Sequence, residues 1–415
     1  MKKLLTLSLA IVAFIGLSSA TALSQGSLDS TVKSIFSDVE SLKKLKISGY
    51  IQAQFMNAEA NGARTYSGGN FPAESHNIFK IRRGRIRADY KTGIVGYTLQ
   101  MEANETGISL KDAFVEVTDP WLKAFSLRGG NFKVGIGNEL GYAADARLSP
   151  ESARMIQVLI PGEYDLGAQL TIRAPKGHVL NPFSLTAQML MGNGGVAEND
   201  NQKNFTARLL YDQTFGKFSL AVAASTYQGG VWQGNANVWE MDGTAFKCDS
   251  STSNIKSQAD RQYYIGDLRV GYVSPIGKTA LNGEFWTGNQ PGNATASASP
   301  STTTLPTGDT YIRPFQGALV QLSHEIAKTN LAVAVKYDFY DANTKVSGDE
   351  VGLNGTNAAD LSYNTIGVGL IFLPSTNLRF TLWYDIVSNE KTENLAAYKD
   401  DIKDNVLTLR MQIKF

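Results

Sequence analysis

The sequence predicts an all-β fold, a transmembrane antiparallel β-barrel of about sixteen strands with a short N-terminal helix or coiled coil before it. Three observations carry this. Apolar and polar residues alternate in segment after segment, the gaps between those segments are alternately short and long, and an alternating segment runs into the terminal Phe415.

The first element is a leader. Lys2 and Lys3 precede an apolar run from Leu4 to Leu17, and Ala20-Thr21-Ala22 offers a small-residue cleavage site, so residues 1–22 read as a secretory signal peptide. The apolar run is too short to span a bilayer comfortably. Residues 23–45 form a second element. Leu28, Val32, Ile35, Val39 and Leu42 follow steps of four and three, the seam of a short periplasmic helix pairing with its own copies. With about two heptads, the same pattern also fits a lone amphipathic helix or a linker.

Residues 46–415 are read as the barrel. The last segment sets the pattern, with Leu407, Leu409, Met411, Ile413 and Phe415 on one face and Thr408, Arg410, Gln412 and Lys414 on the other. Equivalent alternation places strands near 47–56, 77–90, 94–103, 108–117, 125–134, 165–173, 183–191, 204–212, 217–226, 263–273, 279–287, 315–323, 330–339, 365–372, 377–387 and 405–415. Charges on one face of nearly every strand suit a wet lumen better than a sandwich core, and Tyr211, Tyr272, Phe339 and Tyr384 fall where interfacial girdles belong. Short connections at 91–93, 213–216, 274–278 and 374–376 oppose long ones at 135–164, 228–262, 288–314 and 341–364. That asymmetry predicts the bacterial outer membrane, with both termini periplasmic and lipid as the outer partner.

Composition narrows the functions. The single Cys248 excludes a disulfide framework and a cysteine zinc site. Loss of Lys2 and Lys3 turns the formal charge of +1 into −1, which gives no support to a nucleic-acid partner. The mean hydropathy of −0.17 fits alternating strands, whose signal is diluted. A barrel of about sixteen strands leaves an aqueous channel, implying passage of small hydrophilic solutes.

A set of ordered fragments resembles the phosphate-selective porin O and P family over most of the chain from about residue 28. They are Phe79-Lys80-Ile81-Arg82-Arg83-Gly84-Arg85, Leu110-Lys111-Asp112-Ala113-Phe114-Val115, Gly130-Asn131-Phe132-Lys133, Ser152-Ala153-Arg154-Met155, Asp165-Leu166-Gly167, Gly192-Asn193-Gly194, Lys336-Tyr337-Asp338 and Phe415. The resemblance implies a sixteen-stranded homotrimeric porin with an N-terminal coiled coil and a third external loop, here 135–164, folded into the lumen. After Lys133 this chain reads Val134-Gly135-Ile136-Gly137, without the prolines of that pattern.

The candidate selectivity residues are basic. Lys80, Arg82, Arg85 and Arg87 form a ladder facing the lumen if a bulge near Arg83-Gly84 shifts the register. Lys111, Arg128, Lys133 and Arg154 extend it, and guanidinium forks suit phosphate and other anions. Acids on other strands, among them Glu102, Glu116, Asp212, Asp267, Glu284, Asp338 and Asp385, equally allow a general pore with a transverse field. His76, His178 and His324 are placed in loops or turns without metal spacing, and no nucleophile elbow, P-loop or HExxH occurs, so neither an enzyme nor a cofactor is expected. A surface-binding, adhesin-like barrel using its long loops is the alternative to a channel.

Overall fold

The computed structural model describes residues 32–35, 39, 43–195, 198, 200–300 and 306–415. The chain divides into a unit up to Lys46 and a unit from Ile47 to Phe415. In the first, Val32, Ile35 and Val39 are helical and exposed. Leu28, Leu42 and the expected signal peptide lie outside the described residues.

Among the described residues eighteen strands follow in the order β1 (Leu45–Ala58), β2 (Asn77–Thr92), β3 (Val95–Asn104), β4 (Gly107–Thr118), β5 (Phe125–Lys133), β6 (Tyr164–Arg173), β7 (Phe183–Leu190), β8 (Asn204–Phe215), β9 (Phe218–Trp232), β10 (Asn237–Asp242), β11 (Ala245–Ser250), β12 (Gln258–Ser274), β13 (Gly277–Gly292), β14 (Thr310–Ile326), β15 (Leu331–Asp341), β16 (Ser362–Ser375), β17 (Leu378–Asn389) and β18 (Val406–Lys414). Sixteen of them make a closed antiparallel barrel, each paired with its sequence neighbour except that β9 pairs across to β12, from Gln258↔Trp232 to Tyr272↔Phe218. β1 closes the barrel on β18, with Tyr50 opposite Lys414 and Ala58 opposite Val406. Closure leaves no free edge, which is what allows a sheet to sit in lipid.

Burial is inverted relative to a water-soluble domain. Ile86, Leu99, Leu127, Leu209, Val222, Leu268, Val335, Val368, Leu382 and Leu409 point outward and are exposed, while Gln52, Gln54, Gln100, Gln188, Thr381 and Gln412 point inward and are buried. This is the pattern of an apolar outer band around a polar interior. Aromatic pairs mark the short-turn end of the band, among them Tyr90–Tyr97, Phe183–Tyr211 and Phe372–Phe380.

All sixteen expected strands are present, but those flanking the long loops run further. β9 reaches Trp232, β12 begins at Gln258 and β14 begins at Thr310. Alternation of burial breaks down in the extensions of β9 and β14, where Gly230 and Val231 are both buried, as are Ile312 and Arg313. β10 and β11 form an extra hairpin within the 233–257 loop, and β10 pairs in parallel with the extended β14, Trp239 stacking on Tyr311 at 5.4 Å. Cys248 lies in that hairpin. His324 is not in a turn as expected. It lies in β14, its ring hydrogen-bonded to Thr279 at 2.9 Å, because β14 continues to Ile326.

Candidate functional site

Residues 134–163, the connection between β5 and β6, fold into the lumen, and apolar side chains drive them there. The chain turns inward at Gly137, whose φ of +62° favours glycine and which lies so close to Trp286 that a Cβ would stand 2.7 Å from the indole. A single short helix, α1 (Arg154–Leu159), then packs Met155, Ile156 and Leu159 into one buried cluster with Tyr263, Trp286, Phe315 and Tyr340 of the β12–β15 wall. Gly317 on β14 makes room for it, since a Cβ there would meet Met155 Sδ at 2.7 Å. Polar bonds fix the same side. Glu284 accepts from the backbone N–H groups of Asn138, at 2.9 Å, and of Glu139, while Lys336 donates to the Glu151 carbonyl at 3.2 Å.

The opposite wall, made by β1, β2 and β18, holds the loop with charge. Glu151 accepts from Arg82 and Arg83 at 2.8 and 2.7 Å and from Arg410 at 2.8 Å. Burial opposes ionisation of Glu151, but the three guanidinium groups hold its carboxyl well below the usual carboxylate range. Further along, Glu163 receives Lys133 at 2.9 Å and Arg147 at 3.1 Å. Burial again works against its charge, yet Arg147 and Lys133 pull its pKa down to about 2. The loop is therefore fastened on both sides of the lumen.

Every residue of the expected ladder lines the interior, and each is occupied. Arg85 pairs with Glu102 at 2.7 Å, and Lys111 reaches the same carboxylate at 3.5 Å. Arg87 pairs with Asp89 and Asp112, both at 2.8 Å, and Arg128 with Glu116 at 2.6 Å. Lys80 donates to the Gly68 carbonyl at 3.2 Å. Arg154 lies 3.6 Å from the Tyr363 ring centroid and 4.6 Å from that of Tyr66, with Asp404 3.9 Å away. Apart from Lys80, the ladder is thus a set of ion pairs rather than a bare cationic strip. It keeps a local surplus, since Arg82, Arg83, Arg85, Lys111 and Arg410 share the two carboxylates of Glu151 and Glu102.

The change of face in β2 falls between Arg82 and Arg83, one residue earlier than expected. Burial alternates as Lys80 and Arg82 inward, then Arg83, Arg85 and Arg87 inward, so Arg82 and Arg83 both face the lumen. Arg83 was hidden by that step. Arg410 was legible as the polar face of the last strand, whereas nothing in the sequence of a long loop singles out Glu151. Elsewhere Asp267 pairs with Arg208 at 2.6 Å and Asp212 with Arg269 at 3.1 Å, whereas Glu284 and Asp385 accept hydrogen bonds from Trp286 and Trp383.

On the long-loop side of α1 lies a vestibule of about 650 Å³, lined by residues of the first loop (Arg64, Tyr66), of β2 (Lys80, Arg82), of α1 (Arg154) and of the last two long loops (Leu361, Asp404). On the short-turn side a smaller cavity of about 200 Å³ lies between Tyr142, Arg147 and the β13–β14 wall at Asn282 and Gln321.

No protein-family model and no curated protein matches this chain. Solved structures do. The chain is similar to OprB of Pseudomonas putida, at 8% identity and a TM-score of 0.62, covering 91% of this chain and 96% of that one. It is also similar to an anion-selective porin from Comamonas acidovorans, at 10% identity and a TM-score of 0.52 over 89% and 99% of the two chains. The trimer form of OmpT of Vibrio cholerae matches at 9% identity and a TM-score of 0.50, over 89% and 99%. The fold is that of outer-membrane porins.

Proposed function

We propose that the chain forms a water-filled channel in the bacterial outer membrane for passive diffusion of small hydrophilic solutes, with a preference for anions. The observation that carries this is the loop of residues 134–163, set across a polar lumen between a cationic wall and an apolar one. A barrel of sixteen strands is wide enough to conduct, and an internal loop sets its cross-section. The anion preference is supported by the five cations around Glu151 and Glu102, because a pore's lining charge sets its selectivity. Phosphate, suggested by the family resemblance, would have to compete with carboxylates that already occupy the guanidinium forks.

The chain acts, in this reading, as a homotrimer with both termini in the periplasm. The exposed helical positions Val32, Ile35 and Val39 supply an apolar seam for it, and a similar barrel exists in a trimer form. Single-channel conductance of the refolded mature protein in planar bilayers, under a salt gradient, tests the proposal. Steady steps with a reversal potential on the anion side are expected. A well-folded barrel that gives no steps would overturn the channel, and steps reversing on the cation side would overturn the anion preference.

A further inference from the structure

Resting on the channel reading, we propose that the vestibule above α1 is a recognition subsite for small organic anions with a flat apolar body, the simplest being an aromatic carboxylate. Its two kinds of lining call for the two ends of such a ligand. Lys80 and Arg64 line it without an ion pair among the described residues, and Arg82 shares its single carboxylate with two other arginines. Arg154 is buried in its floor with Nε unpartnered, and its Nη2 stands 3.9 Å from Asp404, beyond hydrogen-bond range. A charged, buried donor without a bond favours an incoming acceptor. The lone lining carboxylate, Asp404, also makes no hydrogen bond through either oxygen, so it occupies none of these donors directly.

Among polar residues such as Thr65, Asn70 and Gln157, the lining carries one apolar and aromatic strip, with Val158, Ala298, Ala342 and Leu361 set beside Tyr340 and Tyr363. A compact, strongly hydrated anion gains nothing from that surface and loses water to reach it. A benzoate-sized anion places its ring on that strip and its carboxylate toward Lys80 and Arg82, so that each end of the ligand meets its own kind of surface. Two tyrosines already flank the Arg154 guanidinium, so the cation is held flat and pre-oriented.

Isothermal titration of the detergent-solubilised mature protein with sodium benzoate, benzamide and inorganic phosphate tests this without requiring conduction. Saturable binding of benzoate is expected, at least about tenfold tighter than benzamide or phosphate, and Lys80→Gln should weaken it roughly tenfold. Tyr363→Leu, which alters no charge, should weaken benzoate and leave phosphate as it was. Equal binding of phosphate and benzoate, equal binding of benzamide and benzoate, or no saturable heat with benzoate would each overturn the subsite. Conductance separates the two proposals. Open channels that bind no benzoate sink the subsite and leave the channel standing, whereas benzoate binding by a barrel that never conducts supports the subsite and sinks the channel.

Discussion

The two walls of the lumen hold the same loop by different physics. On the β12–β15 side, Met155, Ile156 and Leu159 are seated among Tyr263, Trp286, Phe315 and Tyr340, a dry core built inside a barrel. On the β1, β2 and β18 side, the loop contributes one carboxylate, Glu151, to three arginines. Apolar packing fixes a position whatever the salt or the pH, while buried ion pairs repay their desolvation only when every partner is present. The apolar wall therefore sets where the loop sits, and the charged wall sets the field that a solute meets beside it.

If that division is right, Trp286→Ala breaks the seat. Trp286 is fully buried and its indole carries Gly137 at the inward turn. Removing a buried aromatic side chain costs about 3–5 kcal/mol. The barrel should still form, since its strands close independently of the loop, but conductance should rise and become noisy, and protease should cut within residues 134–163. A quiet channel of unchanged conductance and an uncut loop would mean that the apolar wall is not the anchor.

The second change acts on the charged wall. Glu151→Gln leaves Arg82, Arg83 and Arg410 without their shared anion, and breaking a buried ion pair by removing one partner costs about 3 kcal/mol or more. A glutamine can still accept hydrogen bonds, so the loop should stay seated on its apolar side. The readout is selectivity, and the reversal potential in a salt gradient should move further toward the anion because one negative charge has left the lumen. Arg128→Gln is the control, since the Arg128–Glu116 pair is partly solvated and such pairs are worth about 1 kcal/mol or less. If both substitutions shift the potential equally, the cluster around Glu151 has no special standing.

What could be read in advance follows the same division. The strands were legible because lipid on one face and water on the other enforce a period of two, which is why Ile86, Leu99 and Leu409 announce themselves. The strand extensions, the β10–β11 hairpin and the placement of His324 in β14 were not, since they stand beyond or at the rim of that constraint. The basic residues of β2 were visible as charges, but their pairing was not. Glu151 is 68 residues from Arg83 and 259 from Arg410, and no local pattern joins them. The aromatic seat was hidden for a further reason. Tyr263 and Trp286 occupy inward positions, where alternation predicts polar residues, and only the folded loop gives them something to cover.

Acid should release the charged fastening while sparing the apolar one. Glu163, held by Lys133 and Arg147, has its pKa drawn down to about 2 from an unfolded value near 4.5. A depressed carboxylate stabilises the folded state above its unfolded pKa and loses that contribution as pH falls through its folded pKa. The shift corresponds to about 3 kcal/mol at most, present in full at neutral pH, falling away below about pH 4.5 and gone below about pH 2. Glu151, also depressed, moves in the same direction. Open-channel noise should thus grow as pH falls below about pH 4.5, with mean conductance changing less than in Trp286→Ala because the aromatic side chains of the seat do not titrate. Glu163→Gln should display raised noise at pH 7 and a weaker pH dependence. Noise that instead grows as pH rises from 5 to 8 would place the sensitive group elsewhere, and noise that matches Trp286→Ala at pH 3 would mean the two walls are not independent.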